Sequence, residues 1–218
     1  METRILKIDS LHPELKLLQE AAEVIRRGGI VAGPTDTVYG LFADLNNEAA
    51  VTRIYRIKGR DFRRPLILLI ADQEAATQLC AEIPDLAREA MARFWPGGLT
   101  IILEKSSRVP DYLTSGGKTI GLRLPAHPVM EGLIRAAGTP LASTSANRSS
   151  LPAARSAQEI MKELAGEIEL IIDAGPAPLG LESSVVDFTP LASGLPPRLL
   201  REGCLKRKTL EAALGALG

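Results

Sequence analysis

Short apolar runs alternate with segments of helical period along this whole sequence, and that alternation admits few folds. Leu15, Leu18, Ala22 and Ile25 recur at helical spacing behind Pro13, which opens the helix, and Gly28-Gly29 stop it. The run Gly29-Ile30-Val31-Ala32-Gly33 then reads as a buried strand. A second helix starts near Asn46 or Asn47 and carries Ala50, Val51, Ile54 and Ile57 on its inner side. Residues 65–70 are almost purely apolar, as a buried strand would be. Beyond them the pattern predicts helices at 73–80 and 84–94, a strand at 99–103, a Pro/Ser/Gly loop at 108–118 and a strand at 119–124. A helix at 129–137, a strand at 140–143, a helix at 157–164, strands at 169–172 and 184–188 and a further strand whose end is residues 199–203 follow. A last amphipathic helix holds Leu210, Ala213, Leu214 and Leu217. The expected fold is a single α/β domain over residues 1–218, with a twisted, mostly open mixed sheet flanked by helices.

Charge and composition remove several classes of function. The 26 Lys and Arg balance 26 Asp and Glu, so no global field draws the chain to a polyanion, and nucleic acid would need a local patch. Aromatic residues make up 4%, too few for a platform that stacks single strands. No apolar run approaches the ~18 residues that cross a bilayer. Residues 1–9 mix charges with single apolar residues and hold no signal-peptide core. Cys80 and Cys204 lie outside any paired redox or metal motif, as idle thiols in a reducing cytoplasm would. His12 and His127 are too few for a histidine metal centre, and each precedes a proline and so belongs at a turn; no metal site is expected. Walker A, dinucleotide G-x-G-x-x-G and H-E-x-x-H motifs are missing, as are a nucleophile elbow and a Cys/His pairing. What fits better is chemistry without a protein nucleophile: binding a nucleotide, orienting a second substrate and stabilising developing negative charge.

Several segments suit that chemistry. Pro34-Thr35-Asp36-Thr37-Val38-Tyr39-Gly40-Leu41 sets hydroxyls, a carboxylate and a phenol directly after the first apolar run. The cluster should emerge at a strand end, where open α/β sheets commonly hold ligands. Lys58, Arg60, Arg63 and Arg64 place four cations within seven positions. Charge alone favours a solvated helix end, but the buried strand that follows pins them near a sheet end, where they suit a triphosphate. Ser143-Thr144-Ser145-Ala146-Asn147 is either a capped polar turn or a set of groups for phosphate, ribose or an amino-acid head group. Arg123 stands among apolar strand residues and needs an anion, either a structural carboxylate or a substrate's. Residues 182–187 and 199–203 are polar strand ends that say little alone.

Taken in order, PTDTVYGL (34–41), KGR (58–60), PLILLI (65–70), FWPGGLT (94–100), GLRLPAHP (121–128), STSAN (143–147), ESSVVD (182–187) and LREG (200–203) resemble the YrdC/Sua5 family, the threonylcarbamoyl-AMP synthases. The resemblance implies a large concave cavity on the open sheet, in a short form without the extra C-terminal domain of longer members. It implies a cytoplasmic enzyme, not membrane-bound, that condenses L-threonine, bicarbonate and ATP, with Mg²⁺ on the ATP, and releases pyrophosphate. A separate transferase complex would then pass the threonylcarbamoyl group to A37 of tRNAs reading ANN codons. Position by position, Thr35, Arg123, Ser143 and Ser183 would hold L-threonine, with Arg123 on its carboxylate. Lys58, Arg60, Arg64, Thr119, Ser145, Asn147 and Arg201 would hold ATP, and Lys58 and Arg60 would be the catalytic cations. Leu69 stands where many members carry histidine, Arg64 where they carry asparagine and Ala153 where they carry serine. The rival expectations are a double-stranded RNA or tRNA-binding module on the same basic concave surface, and a paralogue of the fold with altered chemistry.

Overall fold

A computed structural model describes residues 2–149 and 151–218 of the chain. Among these residues ten strands form one sheet: β1 (Arg4–Lys7), β2 (Val31–Gly33), β3 (Gly40–Asp44), β4 (Ile67–Leu69), β5 (Leu99–Glu104), β6 (Thr119–Arg123), β7 (Leu141–Ser145), β8 (Leu170–Asp173), β9 (Ser184–Asp187) and β10 (Arg198–Arg201). Their order is β1-β8-β2-β3-β7-β4-β6-β5-β9-β10, with parallel and antiparallel neighbours mixed. The helices are α1 (Leu15–Arg26), α2 (Glu48–Lys58), α3 (Gln73–Leu79), α4 (Asp85–Phe94), α5 (Asp111–Thr114), α6 (Pro128–Ala137), α7 (Ala157–Leu164) and α8 (Arg207–Leu214). Among the described residues, no helix is long and apolar enough to cross a membrane.

The two-residue period of the strands sorts side chains onto two faces. In β8, Leu170 and Ile172 pack with Leu18, Ala22 and Ile25 of α1 and Met130, Leu133 and Ile134 of α6. Ile171 between them joins the larger core on the other face, with Val51 and Ile54 of α2, Met91 of α4, Ile160 of α7 and Leu210 of α8. On the α1/α6 face the cover is incomplete. Farther along the sheet, Ile67, Gly121 and Ile102 lie side by side across β4, β6 and β5, and they line a cavity. The gap in helix cover makes the site.

Some expected boundaries move, for stated reasons. β7 does not stop at residue 143 but runs to Ser145, because β3 pairs with it at Ser145 and β4 at Ser143, and that pairing overrides a polar composition. The strand expected over 65–70 is ordered as a ladder only at Ile67–Leu69. The loop expected over 108–118 contains the single turn of α5. Helix α1 begins at Leu15, with Glu14 as N-cap, and α8 ends at Leu214 ahead of Gly215 at φ 80°, so Leu217 is buried beyond the helix. β1 and β3 carry no separate strand signal. The residues of β1 are mostly exposed, and β3 follows directly on the polar cluster.

Candidate functional site

The cavity holds about 530 Å³, within the range of small-molecule sites. The 34–39 segment leaves the end of β2, as expected, and forms one wall, but the floor is the open face of the sheet. Arg60, Arg63, Arg64, Arg123 and Arg201 all line it, against one carboxylate, Glu182. Such a cavity favours a polyanion.

Arg123 ties the 34–39 wall to the floor. It is 4% exposed, and its guanidinium donates from Nη2 to Asp36 Oδ1 at 2.6 Å, from Nη1 to Thr37 Oγ1 at 2.7 Å and from Nε to the Gly97 carbonyl at 2.9 Å. Asp36 Oδ1 also accepts from the Ala126 amide. Both alternatives open for Arg123 therefore bear on one residue: it has a structural carboxylate, it lines the cavity, and two of its five N–H bonds remain for a ligand. The hydroxyls beyond it are bound into the wall. Thr37 accepts from Arg123, its hydroxyl oxygen lies 2.9 Å from Thr35 Oγ1, and Thr35 donates to the Val38 carbonyl at 2.7 Å. Thr35 Oγ1 accepts the Thr37 and Val38 amides as well, so its hydroxyl is fully engaged in the wall. The Tyr39 phenol donates to Gly175 O at 2.6 Å, and burial pushes its pKa up to about 12. That group is structural.

Lys58 and Asn147 do not line the cavity. Lys58, at the end of α2, is 3% exposed and donates to Ser145 O at 2.5 Å, Asn147 O at 2.7 Å and Asn147 Oδ1 at 2.9 Å. All three ammonium protons are used inside the protein. Asn147 donates in turn to the Arg148 and Leu151 carbonyls. Together they fix the turn that leaves β7. Ser145 does reach the cavity, but its proton is given to Asn147 Oδ1 at 2.7 Å, so it meets a ligand as an acceptor. Ser143 Oγ has no hydrogen bond within the described protein and is free to serve a ligand.

The left-handed Gly59 at φ 59° ends α2 and turns the chain into the cationic segment. Arg60 bonds the carbonyls of Arg64 at 2.9 Å and Pro65 at 3.1 Å, which holds this segment as a closed loop over the cavity edge. Arg63 pairs with Asp61 at 2.8 Å. Arg64, Thr119 and Leu69 also line the cavity, so two of the three departures from the family pattern face it, whereas Ala153 does not.

On the far wall, Arg201 donates to Ser183 O at 3.0 Å and Ser183 Oγ at 3.1 Å, and pairs with Glu182 at 3.0 Å. Ser183 Oγ lies 2.8 Å from Thr100 Oγ1. Gly203 lets the two backbones meet: a Cβ there would sit 2.2 Å from Glu182 O and 2.6 Å from Ser183 C. Gly203→Ala is expected to displace this wall, costing about 1–3 kcal/mol in a urea titration and weakening nucleotide binding; full stability and unaltered binding would show that the wall tolerates the shift.

Asp36, Thr37, Thr100 and Glu182 stand in the expected segments 34–41, 94–100 and 182–187, but no individual role was expected for any of them. Asp36 had a sequence signal, because a buried arginine needs an anion. Thr100 had none, since a threonine in a strand reads as a packing residue.

The family model Sua5/YciO/YrdC, described as "Telomere recombination", matches residues 23–203. The chain is 44% identical over 197 residues to the threonylcarbamoyl-AMP synthase of Pyrococcus abyssi, covering 90% of this chain and 57% of that protein. It is 39% identical over 210 residues to the threonylcarbamoyl-AMP synthase of Bacillus subtilis, covering 96% and 60%. The crystal structure of P. abyssi Sua5 complexed with L-threonine superposes with a TM-score of 0.93 at 41% identity, covering 98% of this chain and 62% of that one. The chain thus spans about six-tenths of the length of these relatives.

Proposed function

This chain belongs to the Sua5/YciO/YrdC family, and on that basis we propose that it is an L-threonylcarbamoyladenylate synthase, a nucleotidyltransferase that condenses L-threonine, bicarbonate and ATP. The observation that carries the reading is the cavity itself: five arginines and the hydroxyls of Ser143, Ser145 and Ser183 face one volume of about 530 Å³. The product would supply a transferase complex acting on A37 of tRNAs that read ANN codons, in the cytoplasm.

In the proposed reaction, bicarbonate adds to the threonine amine with loss of water and gives a carbamate. A carbamate oxygen attacks the α-phosphorus, the bond to the β-phosphate oxygen breaks, and pyrophosphate carries the charge away. The two free N–H bonds of Arg123 take the amino-acid carboxylate, with Ser143 and Ser183 beside it and Thr35 holding the wall. Arg60, Arg64 and Arg201 surround the phosphates, where fixed cations stabilise charge without reorganising. Thr119 and Ser145 meet the nucleotide, and Lys58 with Asn147 positions Ser145 from behind. Mg²⁺ is usually held by one or two carboxylates plus substrate phosphates, and Glu182 is the one carboxylate here, so the residues fit an ion carried mainly by ATP. When bound it would neutralise charge on the phosphates.

Pyrophosphate release should require L-threonine and bicarbonate together, each omitted in turn. Arg60→Ala should slow that release on the order of 10²-fold. No release from folded protein, with RNA binding that falls steeply with salt, would replace this reading by the nucleic-acid module.

A further inference from the structure

We infer that Thr100 is a positioning residue that makes Ser183 a hydrogen-bond donor only, aimed at an anionic oxygen of the substrate; this deepens the synthase reading and rests on it. Thr100 lies in β5 with no exposure, and its hydroxyl has one partner among the described residues, Ser183 Oγ at 2.8 Å. Ser183 Oγ has a second neighbour, Nη2 of Arg201 at 3.1 Å. A guanidinium donates and never accepts, so one lone pair of Ser183 is taken by Arg201. If Ser183 then donated to Thr100, the Thr100 proton would be a buried donor with no acceptor, the arrangement that folded proteins avoid. The pattern that satisfies every group is the reverse. Thr100 donates, Arg201 donates, and both lone pairs of Ser183 are occupied.

The Ser183 proton has then one direction left, which is the cavity that Ser183 lines. Its ligand atom must be an acceptor. With the Arg201 guanidinium alongside, that atom is best an anionic carboxyl oxygen, belonging either to the amino acid or to the carbamate made from its amine. An ammonium or a donating hydroxyl is refused. Ser145 shows the opposite setting, since its proton is spent on Asn147. The two serines therefore sort ligand atoms by polarity.

The test uses Thr100→Val, which keeps the shape and removes the donor, and Thr100→Ser, which keeps the donor. L-Threonine and L-threoninol, whose alcohol replaces the carboxylate, are titrated calorimetrically without bicarbonate, and KM for bicarbonate is measured separately. Thr100→Val should weaken L-threonine about tenfold and narrow the preference for threonine over threoninol, because the released hydroxyl can also accept; Thr100→Ser should restore both. If only KM for bicarbonate rises in Thr100→Val, the oxygen is that of the carbamate. Unchanged threonine affinity and bicarbonate KM in Thr100→Val, or failure of Thr100→Ser to restore them, overturns the inference. A native chain that binds no L-threonine instead overturns the synthase reading.

Discussion

Replacing Lys58 with methionine is expected to cut pyrophosphate release on the order of 10²-fold, although Lys58 lines no part of the cavity. The side chain spends all three protons on Ser145 O, Asn147 O and Asn147 Oδ1. Methionine has similar length and no donors, so three acceptors each lose one donor at a position only 3% exposed. The turn after β7 must open to water or shift, and Ser145 moves with it. Misplacement by about 1 Å is enough for a loss of this size. The effect should fall on KM for ATP as well as on turnover, and a thermal melt should show the chain still folded. Unaltered kinetics in Lys58→Met would show that the turn holds its place without the ammonium.

The same lysine gives the site a pH dependence. Burial, followed by the charge of Arg60, pushes its pKa down from 10.5 to about 8. Between about 8 and 10.5 the unfolded chain binds more protons at Lys58 than the folded one, so this group makes stability rise with pH across that window. Nucleotide affinity should move the other way. Above about 8 the neutral amine has two protons for three acceptors, and the turn loosens. Measuring ATP binding directly avoids the separate effect of pH on the threonine amine. An affinity flat from pH 7 to 9.5, or one that also falls in Lys58→Met, would assign the trend elsewhere.

Much of this arrangement was legible in the residues, because local pattern and packing agree along most of the chain. α7 begins and ends where its period places it, with Ser156 capping Glu159 N. The cationic run and the STSAN segment were legible as groups, and the structure brings both to one cavity. Their individual tasks were not legible. A lysine two residues from an arginine in a charged run looks like a second phosphate ligand, and only the approach of the turn after β7, 87 to 89 positions on, gives it buried acceptors. Thr35 reads as a free hydroxyl until the turn folds back and the Val38 carbonyl and the Thr37 and Val38 amides take it up. The cavity floor was invisible for a related reason. Ile67, Gly121 and Ile102 read as ordinary strand positions, and what distinguishes them is that the α1/α6 core reaches the edge of Ile67 and neither of the other two.

Asp36→Ala should cost about 3–5 kcal/mol, the range for removing one partner of a buried ion pair. Arg123 is 4% exposed and Asp36 7%, with 2.6 Å between them, so water cannot easily replace the carboxylate. The loss also strands the Ala126 amide, whose bond to Asp36 Oδ1 is 3.1 Å long. Against a typical domain stability of about 5–15 kcal/mol, such a variant would be marginal. Removing both charges in Asp36→Leu/Arg123→Met should recover much of the stability, because the desolvated guanidinium goes too. Urea titrations of Asp36→Leu, Arg123→Met and the double variant close the cycle. A single-variant cost of about 0.5 kcal/mol, typical of a surface change, would mean that the pair is effectively solvated. The ligand supplies a second arm. Two N–H bonds of Arg123 are unspent, so an L-threonine carboxylate bound there would replace part of the missing charge. L-Threonine should therefore raise the melting temperature of Asp36→Ala by more than it raises that of the native chain. An equal rise in both would place the carboxylate away from Arg123.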